Sequence, residues 1–359
     1  MAEHYYILSL RPMLPYFFGG ERNLAYGDVG QQAAVNPYYI ESEKLPPQST
    51  LFGVTRFLGI EEKTEDFKIN ESMIGKESFS FEKIDQSFGK IKGISGLYIE
   101  KTMDSGENAY YIKTPLDHDI EKEEYTPMTY TKKIAATCGN LLVPKEYKVK
   151  KGTTKSYMNV KDGKIEKENE IFLESVQVKI HKTKKEDGFL KKKYWTLKPG
   201  YRFAFTVCVE EGFPEIKKQV VFMGKEKSPF LLSVKEGTIN INQALFKKTV
   251  MLDEKEQEDY VRKIALSDCY VAENTDFSQI CDMMYLSFKS HREFMTNYSN
   301  DCGLSHLRRY KKQNYLVRLV EAGSVFIVKK ENIEDFNRII KNTHVQIAGY
   351  NQINGGEIE

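Results

Sequence analysis

The hydrophobic pattern of the chain changes period several times, and each change predicts an element. Over residues 4–10 the side chains split into two alternating sets, Tyr5, Ile7 and Ser9 against Tyr6, Leu8 and Leu10, with Arg11-Pro12 closing the run. A period of two predicts a first β-strand. Residues 12–47 keep no period. They hold Gly19, Gly20, Gly27, Gly30, Pro37, Pro46 and Pro47, and the aromatics Tyr16, Phe17, Phe18, Tyr26, Tyr38 and Tyr39. A loop of that length in a compact domain is usually functional, and its rings suit either base stacking or pinning the loop to a core. Helical spacing follows: Leu51, Val54 and Leu58 with Phe57 beside them, Ser49 as the N-cap, and Arg56 on the opposite face.

Further along, short alternating runs separated by turn residues predict antiparallel hairpins. One joins residues 96–100 to 109–114 through Asp104-Ser105-Gly106; a second joins 153–160 to 164–172 through Lys161-Asp162-Gly163. A third pairs 175–181 with 194–196 across a lysine-rich loop. Residues 201–210 and 219–223 read as strands, and the acids of 254–259 as a solvated helix face. Near the end, 315–320 and 324–329 form a hairpin through Glu321-Ala322-Gly323. An amphipathic helix follows over 332–341, with Ile333, Phe336, Ile339 and Ile340 on one side, and then a strand over 344–348. Strand, strand, helix, strand is most of a ferredoxin-like unit, and the strand-loop-helix at the start makes two such halves plausible. The fold class expected is α+β, with a division into residues 1–200, carrying inserted hairpins, and 201–359.

Charge changes this picture. The net charge of +2 is the sum of unlike parts: residues 145–198 carry 16 lysines, no arginine and 8 acids, whereas residues 61–125 carry 9 lysines and 16 acids. Such asymmetry suits one face for a polyanion and another for something else, or a solvated lysine-rich surface. No apolar run is long enough to span a membrane. The first residues lack a basic segment followed by an apolar one, so a cytoplasmic protein with no membrane partner is expected. The five cysteines, Cys138, Cys208, Cys269, Cys281 and Cys302, show no metal spacing and read as free, mostly buried thiols.

Catalytic motifs are missing. The Gly-Lys pairs at Gly75, Gly89, Gly163 and Gly224 each lack the glycine five residues earlier that a P-loop needs, and no dinucleotide, zinc-protease or nucleophile-elbow motif occurs. No cofactor and no metal are expected. His181 could act as a general base in RNA cleavage if a second acid or base stood within reach, and His4 and His118 are the candidates in the first domain. Three groups suit RNA: the aromatic-glycine loop 16–39; the lysine run Lys179, Lys182, Lys184, Lys185 and Lys191 to Lys193, interleaved with Phe189, Tyr194 and Trp195; and Arg308, Arg309, Lys311 and Lys312 with Tyr310. Lysine neutralises phosphate and aromatic faces stack bases.

Several of these segments resemble a known family. Pro47-Gln48-Ser49-Thr50-Leu51-Phe52-Gly53-Val54-Thr55-Arg56 is similar to the P-x-S-T-x-x-G-x-x-R helix of the repeat-associated (RAMP) proteins of CRISPR systems. Leu14-Pro15-Tyr16-Phe17-Phe18 with Arg22-Asn23 resembles the loop before that helix in the type III-B (Cmr) member that caps the guide's 5′ end. Asp187-Gly188-Phe189-Leu190, Trp195-Thr196-Leu197 and the 203–209 strand resemble its middle region, and Val221-Phe222-Met223-Gly224-Lys225-Glu226 its glycine turn. Ala322-Gly323-Ser324-Val325-Phe326 and Gly349-Tyr350-Asn351 are similar to segments near its end. The chain departs from the pattern at Gly19-Gly20, where Arg-Asp is common, and at Met223, where glycine is usual.

The resemblance implies two ferredoxin-like halves with an inserted β-hairpin thumb, expected over 146–172 with 96–114 as the competing position. It implies a non-catalytic subunit of an antiviral ribonucleoprotein that binds the crRNA 5′ tag and docks the large polymerase/cyclase-type subunit and a backbone RAMP subunit. Phe18, Arg22, Ser49, Thr50 and Arg56 are then the expected RNA contacts, followed by His181, Lys182, Lys184 and Lys185. The alternative is a RAMP-type metal-independent endoribonuclease that processes repeat RNA.

Overall fold

The structure is a computed structural model that describes residues 2–19, 22–23, 38–60, 71–75, 78–135, 139–145, 155–180, 189–224, 226–246, 250–252, 255–257, 259–272, 275–291, 294–296, 310–312 and 316–353. In chain order, β1 (Glu3–Pro12), β2 (Arg22–Asn23) and β3 (Tyr38–Glu41) precede helix α1 (Gln48–Leu58). After a short helix (Glu71–Ile74) come β4 (Ile91–Ile94), β5 (Tyr98–Thr102), β6 (Asn108–Lys113), β7 (Tyr130–Ala135), β8 (Gly139–Pro144), β9 (Ser156–Asn159) and β10 (Ile165–Lys167). A second short helix (Glu168–Ile171) leads into β11 (Phe172–Ile180), β12 (Phe189–Leu197), β13 (Tyr201–Glu210), β14 (Gln219–Met223) and β15 (Ser228–Glu236). Then follow β16 (Val250–Leu252), β17 (Lys255–Gln257), β18 (Tyr260–Ile264), β19 (Cys269–Tyr270) and β20 (Cys281–Tyr285). The last strands are β21 (Phe288–His291), β22 (Phe294–Thr296), β23 (Tyr310–Lys312), β24 (Val317–Val320) and β25 (Val325–Lys329), before helices Ile333–Ile340 and Thr343–Gln346.

Mostly antiparallel sheet with few helices, the described residues form an α+β arrangement. A large sheet has the order β10-β9-β6-β5-β13-β1-β15-β14, with β4 also on β13. At its middle, β1 and β13 run antiparallel with Leu8 opposite Phe205 and Leu10 opposite Phe203. Alternation sorts β1 between two cores. Leu8 and Leu10 pack with Leu51, Phe52, Val54 and Leu58 of α1. Ile7, on the other face, packs with Tyr260, Ile264, Val325 and Ile327 of β18 and β25. Both faces of the central strands are therefore covered, and each fully buried ring, such as Phe203, Phe205 or Phe230, contributes roughly 1.5–3 kcal/mol. The division expected at residue 200 falls between β12 and β13, and this sheet draws strands from both sides of it.

Several expectations are corrected. The 153–172 hairpin exists as β9 and β10, but β9 pairs with β6 and so extends the large sheet rather than projecting as a thumb. The competing hairpin, β5–β6, lies inside the same sheet beside β13. Residues 146–154 lie outside the described part. Residues 317–320 and 325–329 are strands that do not pair with each other: β24 joins β19 and β21, while β25 joins β18 and β20. Residues 343–346 are helical, not a strand, because Asn342 accepts from the Val345 and Gln346 amides and turns the chain at once. Residues 255–257 form strand β17 paired with β16, so Glu256 sits on a strand and not on a helix. Cys208, Cys269 and Cys281 are free and buried, while Cys138 and Cys302 lie outside the described residues.

Candidate nucleic-acid interface

Helix α1 begins directly after Pro47, whose extended backbone (ψ 145°) sets its entry, and no side chain caps it. Proline at this boundary needs no amide partner and stops the helix from running backward. Ser49 is thus inside the first turn and not the N-cap expected. Its amide donates to the Tyr350 hydroxyl at 3.2 Å, and its own hydroxyl lies 3.4 Å from Nε2 of His291. Gln48 turns inward and donates to the Ser95 carbonyl at 2.6 Å. Ser49 and Thr50 are half-buried, with their hydroxyls beside the start of the helix.

Three distant segments meet there. Gly349, at φ +82°, packs beside Gln48 so closely that a Cβ would stand 2.6 Å from the Ser95 carbonyl oxygen, so only glycine allows this approach. Tyr350 is held by rings: stacked on Phe79 at 5.7 Å and edge-on to Phe81 at 4.9 Å. Asn351, at φ +56°, donates to the Tyr270 and Ile340 carbonyls and accepts from the Tyr270 amide. Behind His291, Lys289 pairs with Asp268 at 2.5 Å. Burial would lower the Lys289 pKa, but Asp268, with Glu43 and Glu321 beyond it, overrides burial and keeps it above the usual lysine range. Burial and the Lys289 charge together push His291 down to about 4, against the weaker opposing pull of Asp268.

Arg56 is the main correction within this helix. It is 4% exposed, not on the solvent face, while Phe57 is 56% exposed. Its Nε and Nη2 donate to the Ile74 and Gly75 carbonyls, each at 3.0 Å, and its guanidinium lies over Phe88 at 5.4 Å. Arg56 therefore ties α1 to the segment that carries Phe79 and Phe81, and supports the site from inside.

The aromatic loop is largely core. Tyr16 is fully buried, exchanges backbone bonds with Trp195, and donates its hydroxyl to the Lys44 carbonyl at 2.7 Å. Phe18 is half-buried and stacked on Phe230 at 5.9 Å, with its amide on Ser42 Oγ. Gly224, at φ +75°, closes over this loop, and a Cβ there would stand 2.3 Å from the Phe17 carbonyl. Arg22 is placed by its backbone alone, opposite Ile40, and its side chain is outside the described part.

Strands β11 and β12 form a nine-residue antiparallel hairpin, longer than expected, so Lys191, Lys192 and Lys193 stand on a strand and not in a loop. Two of them are neutralised internally. Lys192 pairs with Glu226, and Lys193 pairs with Glu41 at 3.1 Å and Glu174 at 2.9 Å. Lys44 and Lys193 each lie 4.5 Å from the Trp195 ring, which donates Nε1–H to the Ser42 carbonyl. Val176 and Val178 are exposed along β11. His181, Lys182, Lys184 and Lys185 lie outside the described residues.

The histidines of the cleavage alternative are not placed as a pair. His118 is buried, accepts from the Thr126 amide, and has its pKa lowered by burial, whereas His4 is exposed on β1 opposite Val209. Among the described residues no cluster of three or more His, Cys, Asp or Glu is placed to hold a metal ion, and no helix is long and apolar enough to cross a membrane. Reading the sequence missed Gln48, His291, Lys289 and Asp268. Gly349-Tyr350-Asn351 was visible as a glycine turn, but its partner was not.

No protein-family model and no curated protein matches the chain. Among solved structures, it is similar to a chain in the cryo-EM structure of the Type III-B Cmr-beta bound to cognate target RNA, at 14% identity over 97% of this chain and 96% of that one, with a TM-score of 0.48. The same assembly with AMPPnP, state 1, gives 14% identity, 97% and 95% coverage and a TM-score of 0.46. A chain of the Csm3-Csm4 subcomplex in the type III-A CRISPR-Cas interference complex gives 11% identity, 90% and 94% coverage and a TM-score of 0.35. At these scores the likeness carries no argument about this chain.

Proposed function

We propose that this chain is a non-catalytic RNA-binding subunit of a type III-B CRISPR effector complex, holding the 5′ repeat-derived tag of the guide RNA. The observation that carries the reading is the meeting of the Pro47-to-Arg56 helix with Gly349-Tyr350-Asn351, two motif segments some 300 residues apart joined by the Ser49 amide on the Tyr350 hydroxyl. The Ser49 and Thr50 hydroxyls at a helix start suit phosphate oxygens. Phe18 and Arg56 act from inside, fixing the loop and the helix. The reading carries with it the family's two ferredoxin-like halves and an inserted β-hairpin thumb. Docking to the large polymerase/cyclase-type subunit and to a backbone RAMP subunit belongs to the same proposal.

The test is to co-express the chain with its genomic neighbours, purify it by a tag and sequence the RNA recovered. Uniform guides sharing one short repeat-derived 5′ end, recovered with a large polymerase-like subunit, are expected, and Ser49→Ala/Thr50→Ala should deplete them. Heterogeneous RNA, or a chain that elutes alone and cuts repeat RNA without metal, would overturn the reading.

A further inference from the structure

At the β14 end of the large sheet the two faces differ. Alternation puts Leu10, Val221, Met223, Phe230 and Leu232 on the side of α1, inside that core. Their neighbours along the strands turn to the other side, where β18 and β25 pack on Ile7. On that side Ile7 is buried, but Arg11, two alternate positions further along β1, is exposed. From there the face continues in two cross-strand rows. Arg11 stands opposite Leu231, and Leu231 opposite Val220. Phe222 stands opposite Pro229, whose carbonyl accepts from the Met13 amide at 3.0 Å.

The two rows are mainly apolar and open. Phe222 is 65% exposed, Met13 51% and Val220 42%, with Leu231 and Pro229 half-buried between them. Leu14, next in the chain, is exposed as well. β14 ends the strand order of this sheet, and the exposed Lys217, Lys218 and Lys227 stand at its two ends, as lysines do where a strand edge is protected from pairing. Edge protection does not account for Phe222, Val220 and Met13, because they lie on the face of the sheet and span β14, β15 and the end of β1. Apolar patches that cross several strands mark interaction surfaces.

The chemistry of the patch selects its occupant. Phenylalanine, methionine and arginine among aliphatic side chains, with lysines outside them, is the composition of a protein interface. Phe222 is the single ring of the two rows, whereas a nucleic-acid strand is held by rings in succession. A second copy of the chain, docked about a two-fold axis, would bring the same patch to both sides and set Arg11 and the three lysines against themselves. A different protein with apolar side chains at its centre and carboxylates around them is matched at both.

We infer that this face of β1, β14 and β15 docks another protein subunit of the assembly, one that presents an apolar centre ringed by Asp and Glu. Phe222 and Met13 enter that centre, and Arg11 and Lys218 meet the carboxylates. It rests on the chain being a subunit of a multiprotein RNA-binding complex, but the surface is separate from the tag site, since α1 packs on the opposite face of the sheet.

The test places p-benzoylphenylalanine at position 222 of the full chain, co-expressed with its genomic neighbours, and identifies the photocrosslinked peptide by mass spectrometry. A cross-link to one co-expressed protein is expected, at a segment that carries apolar residues and at least one Asp or Glu. Phe222→Asp should lower recovery of that subunit about tenfold or more, as loss of a central aromatic does. Arg11→Glu should lower it too, and exchange of the carboxylate nearest the cross-link for Arg should restore it. Unchanged melting temperatures show that the variants fold. A cross-link to RNA or to a second copy of the chain overturns the assignment, as does a complex recovered in full with no cross-link and no effect of Phe222→Asp. Ser49→Ala/Thr50→Ala and the sequence of the recovered RNA report separately on the tag reading. Uniform guides with a silent position 222 sink the docking face alone, whereas heterogeneous RNA with the expected cross-link sinks the tag reading and leaves the docking face standing.

Discussion

Burial decides what each charged side chain can do here. Arg56 lies in a motif associated with RNA, yet its guanidinium satisfies two carbonyls at the Ile74-Gly75 turn and is closed off from solvent. His291 shows the same principle through protonation. Its pKa is pushed down to about 4 by burial and by Lys289. Between its ordinary value near 6.5 and about 4, the unfolded chain binds a proton that the folded one refuses, so stability falls as pH drops through that window. The loss approaches roughly 3 kcal/mol at the acid end. His291→Asn should flatten this part of the stability curve, measured by urea unfolding at pH 7, 5.5 and 4.5. A variant with the same acid slope as the parent would show that His291 does not carry it.

At the scale of elements, periodicity predicts most segments and misses what depends on neighbours. The apolar stripe of α1 is where it was expected, because Leu51, Val54 and Leu58 have one face to bury. Gly53 sits on the open side of that helix, where a methyl group would meet nothing within 4 Å. Gly53→Ala should therefore raise stability by about 0.5–1 kcal/mol, read from the shift of the urea midpoint. No gain would mean that the helix end is held by its contacts with Tyr350 and not by its own propensity. Strand β13 was legible along its whole length for a matching reason: one alternate set, Phe203, Phe205, Val207 and Val209, is apolar throughout and buried in one core. The 344–348 segment failed as a strand because five residues of mixed character do not distinguish a strand from a single helical turn.

Across the whole molecule, the cores are joined by a few long-range polar ties. Asp117 and Arg262, 145 residues apart, are almost fully buried and bonded twice, at 2.5 and 2.9 Å, with the Tyr125 hydroxyl also donating to Asp117. Removing one partner leaves a buried charge uncompensated. Asp117→Ala should destabilise the chain by about 3–5 kcal/mol, with a single cooperative urea transition moved to lower concentration. A shift below about 1 kcal/mol would show the pair to be open to water. The two core clusters on either face of the large sheet share β1, β6, β9 and β13, so loss of this tie on one face is expected to be felt by the other.

The sequence by itself determined local matters: the first strand, the helix after Pro47, the strands over 201–210 and 219–223, and the turns at Gly106 and Gly163. Each is set by periodicity or by turn chemistry within about ten residues, which a linear reading resolves. It also supplied the resemblance on which the function proposal leans. Only the tertiary structure decided that Arg56 is buried, that β24 and β25 belong to different sheets, and that Lys192 and Lys193 are neutralised by Glu226, Glu41 and Glu174. It alone brought Ser49, His291 and Tyr350 together. These depend on which distant segments share a core or a carboxylate, and that choice is made by packing over hundreds of residues, where no local period carries the information.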